Sequence, residues 1–320
     1  MLNGLSLRDL EYVIAVADLG HFGRAAQRCA VSQPALSAQI AKLEDTLGIV
    51  LFERSRRGVF VTPPAQAIIL QARRTVAEAR RLLELAHSQA GELSGELHLW
   101  SIATLGPYLI PHVLKPLRTR FPRLELIIGE GLTDHILEGL ASGDIDAAFL
   151  SLPVPEDGLA VEHLFFEPFI VAHPPDHPLA DAHPLTVERL RGDDLLLLDE
   201  GHCLHDQALR LCGSASRVLR HAGSLETVRH LIAAGAGYSI LPALAVGEHN
   251  SLADLITYAL FAEPGIGRRI ALVWRCSDPR AVHFVALADV IRGNATLTAL
   301  LSRACGPVVE AAAANGGSRP

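Results

Sequence analysis

The sequence has no uninterrupted apolar run of about 18 residues, the length that a membrane-spanning helix needs. Its start, MLNGLSLRDLEYV, shows no basic segment followed by an apolar stretch, so no secretory signal peptide is expected. Both absences point to the cytoplasm, where glutathione and thioredoxin keep thiols reduced. Cysteine is scarce. Cys29, Cys203, Cys212, Cys276 and Cys305 are scattered and odd in number, which excludes a structural disulfide framework. What the chain does have is length and apolar content. With 320 residues, 49% of them hydrophobic, two or three domains are expected. The net charge of −7 hides an asymmetry. Residues 1–90 hold 11 Lys/Arg against 8 Asp/Glu, and the remainder holds 17 against 27. A basic head on an acidic body is the pattern of a nucleic-acid module joined to another domain.

The head reads as helices. Ser6 opens the first, with Asp9 three residues on as in a capping box. Leu7, Leu10, Ile14 and Ala17 follow at helical spacing. Gly20 ends that helix, residues 23–29 form a short second one, and Ala30 and Val31 make a tight turn. Ser32 caps a third helix, with Pro34 in its first turn. Leu36, Ile40, Leu43 and Leu47 form one apolar stripe, and the opposite face carries Gln33, Ser37, Ala38, Gln39 and Lys42. Two short helices joined by a tight turn fit a helix-turn-helix, whose second helix enters the major groove. Gln can pair with adenine there, and Ser32, Ser37 and the helix N-terminus can hold phosphates. In LFERSRRGVFVT, strands at 51–53 and 59–62 flank a turn with Arg54, Arg56 and Arg57, a basic wing for phosphates or the minor groove.

From Thr62 to Ala90 one long helix is expected, with Pro63 and Pro64 in its first turn, where missing N–H groups cost nothing. Ala65, Ile69, Ala72, Val76, Ala79, Leu83, Ala86 and Ala90 recur at spacings of 4 and 3. Such a seam predicts dimerisation through this helix, or packing against the chain's own body. GELSG is the linker that follows. Beyond it, strands and helices alternate in a βαβαβ run and then a second round. That order predicts two α/β lobes, a mainly parallel sheet and a cleft between the lobes for a ligand. The last helix is expected near 280–302, and the tail AAAANGGSRP is expected to be disordered.

The stretch GHCLHDQALRLC, residues 201–212, carries the chemistry. On residue types alone it is a metal site, a catalytic thiol, a redox pair or two buried cysteines. C-L-H and C-x8-C match no common zinc pattern, so no metal is assigned. No conventional catalytic constellation besides the thiol appears, so the chain does not read as an enzyme, although a thiol peroxidase fused to a DNA-binding head is the rival from that class.

Together the segment from residue 17 through SQPALSAQIAKLEDTLG and RSRRG to Thr62 resembles the LysR-type transcriptional regulators. The body resembles the peroxide-sensing members of that family through ATLGPYLIPHVLKPL, LLLLDEGHCLHDQA, GSLETVRHLIAAGAG, ILPALAV and ALVWR. The resemblance runs from about Leu5 to Ala304. It implies a winged helix-turn-helix over 1–62, a linker and dimerisation helix over 63–91, and a two-lobed regulatory domain over 92–305. The lobes would comprise about 92–167 with 269–305, and about 168–268. It also implies a dimer or tetramer that binds promoter DNA, acts on RNA polymerase and is reduced by glutaredoxin or thioredoxin. Its signal would be hydrogen peroxide, without a cofactor. Cys203 would be oxidised and would then form a disulfide with Cys212. Thr104, Thr133, His202 and Arg275 would surround the peroxide pocket. Pro63-Pro64 departs from the family's usual start of that helix, and His205, Leu209 and Arg210 depart between the cysteines. The reading that competes within the family is a regulator whose cleft binds a small metabolite.

Peroxide attack needs a thiolate. The start of the expected helix 204–211 would favour the anion of Cys203, as would His202 and Arg275, whereas Asp206 would oppose it. If residues 203–212 are helical, nine rises of about 1.5 Å separate the two Cα atoms by roughly 13 Å. A disulfide needs less than about 7 Å, so oxidation would have to unwind the helix.

Overall fold

The protein is described from a computed structural model, in which residues 5–55, 58–88, 93–181, 185–190, 194–212, 220–246, 252 and 254–303 are described. It divides into two compact units, one of residues 1–91 with 138–145, the other of 92–137 with 146 onward. No single described helix is long and apolar enough to cross a membrane.

In the first unit, α1 spans Leu7–Leu19. Its Ser6 capping box with Asp9 forms as the sequence suggests, and Gly20 closes it at φ 57°, a conformation that glycine adopts without strain. Helix α2 spans Phe22–Arg28, one residue earlier than the spacing predicts, because His21 caps it by accepting from the Gly23 and Arg24 N–H groups. Helix α3 spans Gln33–Leu47, with Ser32 Oγ accepting from the Ala35 N–H at 3.3 Å. Leu36, Ile40 and Leu43 are buried, each contributing about 1.5–3 kcal/mol. Leu47, expected in the same stripe, is exposed, because the helix ends there and Gly48 turns the chain away. Strands β1 (Phe52–Ser55) and β2 (Gly58–Val61) pair antiparallel as the wing.

Helix α4 runs Pro63–Ser88. Ala65 and Ile69 join the core built by Tyr12, Val13, Val16, Leu36 and Ile40. Ala72 and Val76 pack on Leu10 of α1. Ile69, Ala72 and Val76 are thus buried within this chain, the second of the two covers that the spacing allowed. Ala79 is half-buried, and Leu83 and Ala86 lie further along the helix. Ala90 and the start of GELSG lie outside the described residues, as does the tail 306–320.

The second unit is a two-lobed α/β body. Its strands are β3 (Gly95–Ile102), β4 (Leu124–Gly131), β5 (Ala147–Ser151), β6 (Leu159–His173), β7 (Leu196–Leu198), β8 (Arg220–Ala222), β9 (Ser239–Pro242), β10 (Thr257–Leu260) and β11 (Gly267–Arg275). Its helices are α5 (Gly106–Arg120), the first part of α6 (Thr133–Ser142, of which residues 138–142 count with the first unit), α7 (Cys203–Cys212), α8 (Leu225–Ala233), α9 (Ala281–Arg292) and α10 (Ala295–Arg303). The βαβαβ run forms as expected, with β3 parallel to both β4 and β5.

The sheet as a whole is not mainly parallel. Its order is β10-β6-β11-β5-β3-β4, with β9 also on β6, and β6 and β11 pair antiparallel with all their neighbours. The reason is the 15-residue β6, which pairs with β11 along its first part, through Pro168, and with β9 and β10 along its last, Phe169–His173. The strand expected at 217–221 is β8, with 217–219 outside the described residues. The single last helix is two. Asn294 interrupts it, accepting from the Leu297 N–H at 3.1 Å to start α10 and donating to the His112 carbonyl at 2.8 Å. The second lobe has its own core, in which Leu196, Leu204, Ala208, Cys212, Val228, Ile232 and Tyr238 are buried together.

Candidate functional site

The two cysteines of GHCLHDQALRLC are the first and last residues of α7, and neither is in a disulfide. Strand β7 delivers the chain to this helix through a turn in which Gly201 has φ 92°, a left-handed conformation open to glycine. Inside α7 the apolar positions fall four apart. Leu204, Ala208 and Cys212 face the lobe's core, so the helix inherits its pitch from the sequence. Cys203, one position before this stripe, is half-buried at the rim. Asp206 stands exposed in the first turn.

Polar contacts hold the helix between the stripe and the rim. His205 is buried, and its Nδ1 lies 2.7 Å from the Leu198 carbonyl. A carbonyl only accepts, so Nδ1 carries the proton. His221 stacks on His205 with centroids 5.6 Å apart. Gln207 Nε2 donates to Ser151 Oγ at 2.9 Å, joining α7 to the end of β5. A cavity of about 430 Å³ adjoins this half of the helix, lined by Gln207, Arg210 and Leu211 with Leu152, Arg268 and Arg269.

The electrostatics differ from the sequence expectation. Burial holds the His202 imidazole below its ordinary value, with Asp199 opposing and His205 adding. It is neutral near neutral pH and offers a hydrogen bond rather than a positive charge. Arg275 is buried between two acids, 3.4 Å from Asp278 and 3.8 Å from Asp146. Arg280 shares both, at 2.9 Å and 2.7 Å, so the cluster is balanced, two cations against two anions. The positive end of α7 is then the charge nearest in sequence to Cys203. Thr104 is buried and accepts from Arg268 Nη1 at 2.8 Å, while Thr133 is the first residue of α6 and half-buried.

At the other end of α7, Cys212 is buried with Tyr238 in the second lobe's core, and burial pushes its thiol up to about 11. The sequence reading missed Tyr238, the Gln207–Ser151 bond and the Arg268–Glu167 pair. Glu167 alone had a visible mark, an acid in the apolar run FFEPFIVAH.

In the first unit, Ser32, Gln33, Pro34, Gln39 and Lys42 are exposed along one side of α3, and Ser37 is half-buried. Arg54 on the wing donates to Ser37 Oγ at 2.6 Å and lies 4.0 Å over the Phe22 ring. Arg56 and Arg57 lie outside the described residues.

Residues 7–66 match the model of the bacterial regulatory helix-turn-helix protein, lysR family, and residues 90–296 match the LysR substrate binding domain. The chain belongs to the LysR family. As a member it is a DNA-binding transcription regulator with the two-part architecture described above. Among LysR-family relatives it is 41% identical over 293 residues to the DNA-binding transcriptional dual regulator OxyR of Escherichia coli K12, covering 91% of this chain and 96% of that protein. It is 39% identical over 291 residues to the hydrogen peroxide-inducible genes activator of Haemophilus influenzae, covering 90% and 96%. Its fold is similar to a full-length OxyR variant from Pseudomonas aeruginosa, with a TM-score of 0.75 at 39% identity over 91% of this chain and 98% of that one. It is also similar to a hydrogen-peroxide-bound OxyR mutant from Corynebacterium glutamicum, with a TM-score of 0.60 at 35% identity over 98% and 97%.

Proposed function

We propose that this LysR-family regulator responds to hydrogen peroxide and controls antioxidant genes, as a regulator rather than an enzyme. The Cys203 thiolate attacks peroxide and becomes a sulfenic acid, and the hydroxide that leaves takes up a proton as water. Cys212 then condenses with the sulfenic acid, forming a disulfide and a second water. The observation that carries this reading is that both cysteines stand reduced at the two ends of one intact helix. Ten helical residues hold their Cα atoms roughly 13 Å apart, beyond the reach of about 7 Å. The bond therefore closes only when α7 unwinds, and that refolding is the two-state element of the switch.

Around Cys203, Thr104, Thr133, His202 and Asp206 form the peroxide pocket and tune the thiolate, with no metal or other cofactor; Arg275, expected there, instead sits at the opposite end of β11 from the Arg268 that holds Thr104, paired with Asp146 and Asp278. At the DNA, Ser32, Gln33, Pro34, Ser37, Gln39 and Lys42 meet the major groove, and Arg54, Arg56 and Arg57 meet phosphates. The regulator acts in the cytoplasm as a dimer or tetramer, with RNA polymerase as its target and glutaredoxin or thioredoxin as reductant. Pairing of two chains uses the exposed side of α4, where Leu70 and Leu82 stand out, and the helix beyond Ala79. Mass spectrometry before and after stoichiometric peroxide tests the mechanism. A Cys203–Cys212 linked peptide should appear only afterwards, and its absence would sink the disulfide.

A second reading, a regulator that binds a small metabolite, is favoured by the cavity against α7 with Arg210 and Arg269 on its wall. It predicts peroxide-induced transcription that survives Cys203→Ser.

A further inference from the structure

One helix belongs to both units. Residues 138–145, the second half of α6 and the turn after it, pack with the first unit, although the chain on either side of them counts with the second. Helix α6 is unbroken over Thr133–Ser142, and its ten residues span about 15 Å. Ile136 and Leu140 are fully buried along it.

The far end of α6 is fitted to α4. Gly143 follows the helix at φ 88°, and a Cβ placed there would lie 2.2 Å from the Ala77 Cβ, so no space is left between the two. One turn back on the same face of α4, Arg73 Nη1 donates to Asp144 Oδ2 at 3.0 Å. Ser142 Oγ donates to the same oxygen at 2.9 Å. The other arm of Arg73 pairs with Asp18 of α1, which also holds Arg28 at 2.9 Å. One guanidinium therefore ties the end of α6 to α1, whose Val13 and Val16 share a core with Leu36 and Ile40 of α3.

The near end touches the turn that presents Cys203. Leu132 directly precedes α6, and its carbonyl accepts the Ile136 N–H at 3.1 Å. A Cβ on Gly201 would lie 3.1 Å from Leu132 Cδ1, so the Gly201 backbone rests on this side chain.

We propose that α6 is the rod that carries the state of the thiol to the DNA-binding helices, and that Arg73 is the positioning residue that couples its far end to α1. The inference rests on the reading that oxidation unwinds α7. Unwinding frees the turn at Gly201, and Leu132 loses its stop. A packed helix answers by shifting as a body, on a scale of about 1–2 Å. Gly143 cannot absorb such a shift, because Ala77 leaves no space there. The displacement passes to α4 and, through Arg73, to Asp18.

Amide hydrogen exchange of the full-length protein, reduced and after one equivalent of peroxide, reads this coupling without a DNA ligand. In the wild type the amides of α1 and α4 should differ between the two states by at least about fivefold, the low end of ordinary coupling. Asp144→Asn alters one half-exposed side chain and removes one ion pair. It should cut that ratio about two- to fivefold, the range for a pair in contact with solvent. Ala77→Leu wedges α4 away from Gly143 while keeping a good helix former, and should bring the ratio to about one. In both variants the linked Cys203–Cys212 peptide should form as in the wild type. An ion pair that only stabilised the first unit would change exchange alike in both states and leave the ratio unaltered.

Equal exchange of α1 and α4 in reduced and disulfide-bonded wild type overturns the proposal. So does a folded variant of either kind that keeps the full wild-type ratio. If the wild type forms no linked peptide, the pairing itself fails and the coupling fails with it, and the peptide assay separates that case from the other two.

Discussion

Arg268 and Glu167 form an ion pair with both side chains fully enclosed, Nε to Oε2 at 2.8 Å. The remaining groups are also satisfied. Glu167 Oε1 accepts from the Leu244 N–H at 3.0 Å, and Arg268 reaches the Thr104 hydroxyl at 2.8 Å and its carbonyl at 3.0 Å. The pair thus ties the two adjacent strands, β6 and β11, to the turn after β3. Glu167→Ala leaves a buried guanidinium without its counter-charge and should cost about 3–5 kcal/mol, read as a lower urea midpoint. Replacing both partners with apolar residues should cost much less than Glu167→Ala alone.

The sequence showed the parts whose signal is local. Ser6 with Asp9, Ser32 with Pro34, and the Leu36–Ile40–Leu43 stripe each act within a few residues, and each forms where its pattern lies. The partner of an apolar stripe is a different kind of fact. The 4–3 spacing of Ile69, Ala72 and Val76 demands cover but does not say whether α1 or a second chain supplies it. The site divides the same way. The positions of Cys203 and Cys212 on one helix were legible. The burial that keeps His202 neutral and the acids that hold Arg275 come from residues distant in sequence, such as Asp146. Tyr238 met no pattern at all, because its burial with Cys212 exists only after β9 is placed beside the core.

Arg54 bridges the wing and α3 through Ser37 and rests on Phe22. Removing it should weaken binding to all DNA sequences alike and reduce the salt slope by about one, as expected for one lost phosphate contact. Gln33→Ala should instead relax preference at one base pair, at about 1–3 kcal/mol for the preferred base. Fluorescence anisotropy at several salt concentrations separates the two. Equal salt slopes for wild type and Arg54→Ala would remove Arg54 from the interface.

The two cysteines should fail differently. Cys203→Ser should abolish both peroxide consumption and peroxide-induced transcription. Cys212→Ser should still consume one equivalent of peroxide and accumulate a sulfenic acid that dimedone traps, with no linked peptide. Equal dimedone labelling in the two variants would contradict the division of roles.

His202 sets a pH dependence whose sign follows from its environment. Its folded value is lowered, chiefly by burial, so below its ordinary value of about 6.5 the unfolded chain takes up a proton that the folded chain resists. Its contribution to stability is therefore fully present above about 6.5, falls as pH drops through that value, and levels off below the folded value. The residue precedes α7 directly, so the loss falls on the turn that presents Cys203. Between about pH 7.5 and about pH 5.5 the unfolding temperature should decline, and His202→Asn should decline less over the same window. The difference between the two proteins isolates His202, so it is the measurement, not either slope. A proton NMR titration reads the group directly. Its imidazole resonance should have a midpoint below about 6.5, and a midpoint above that would mean a nearby anion outweighs burial and that His202 meets peroxide as a cation.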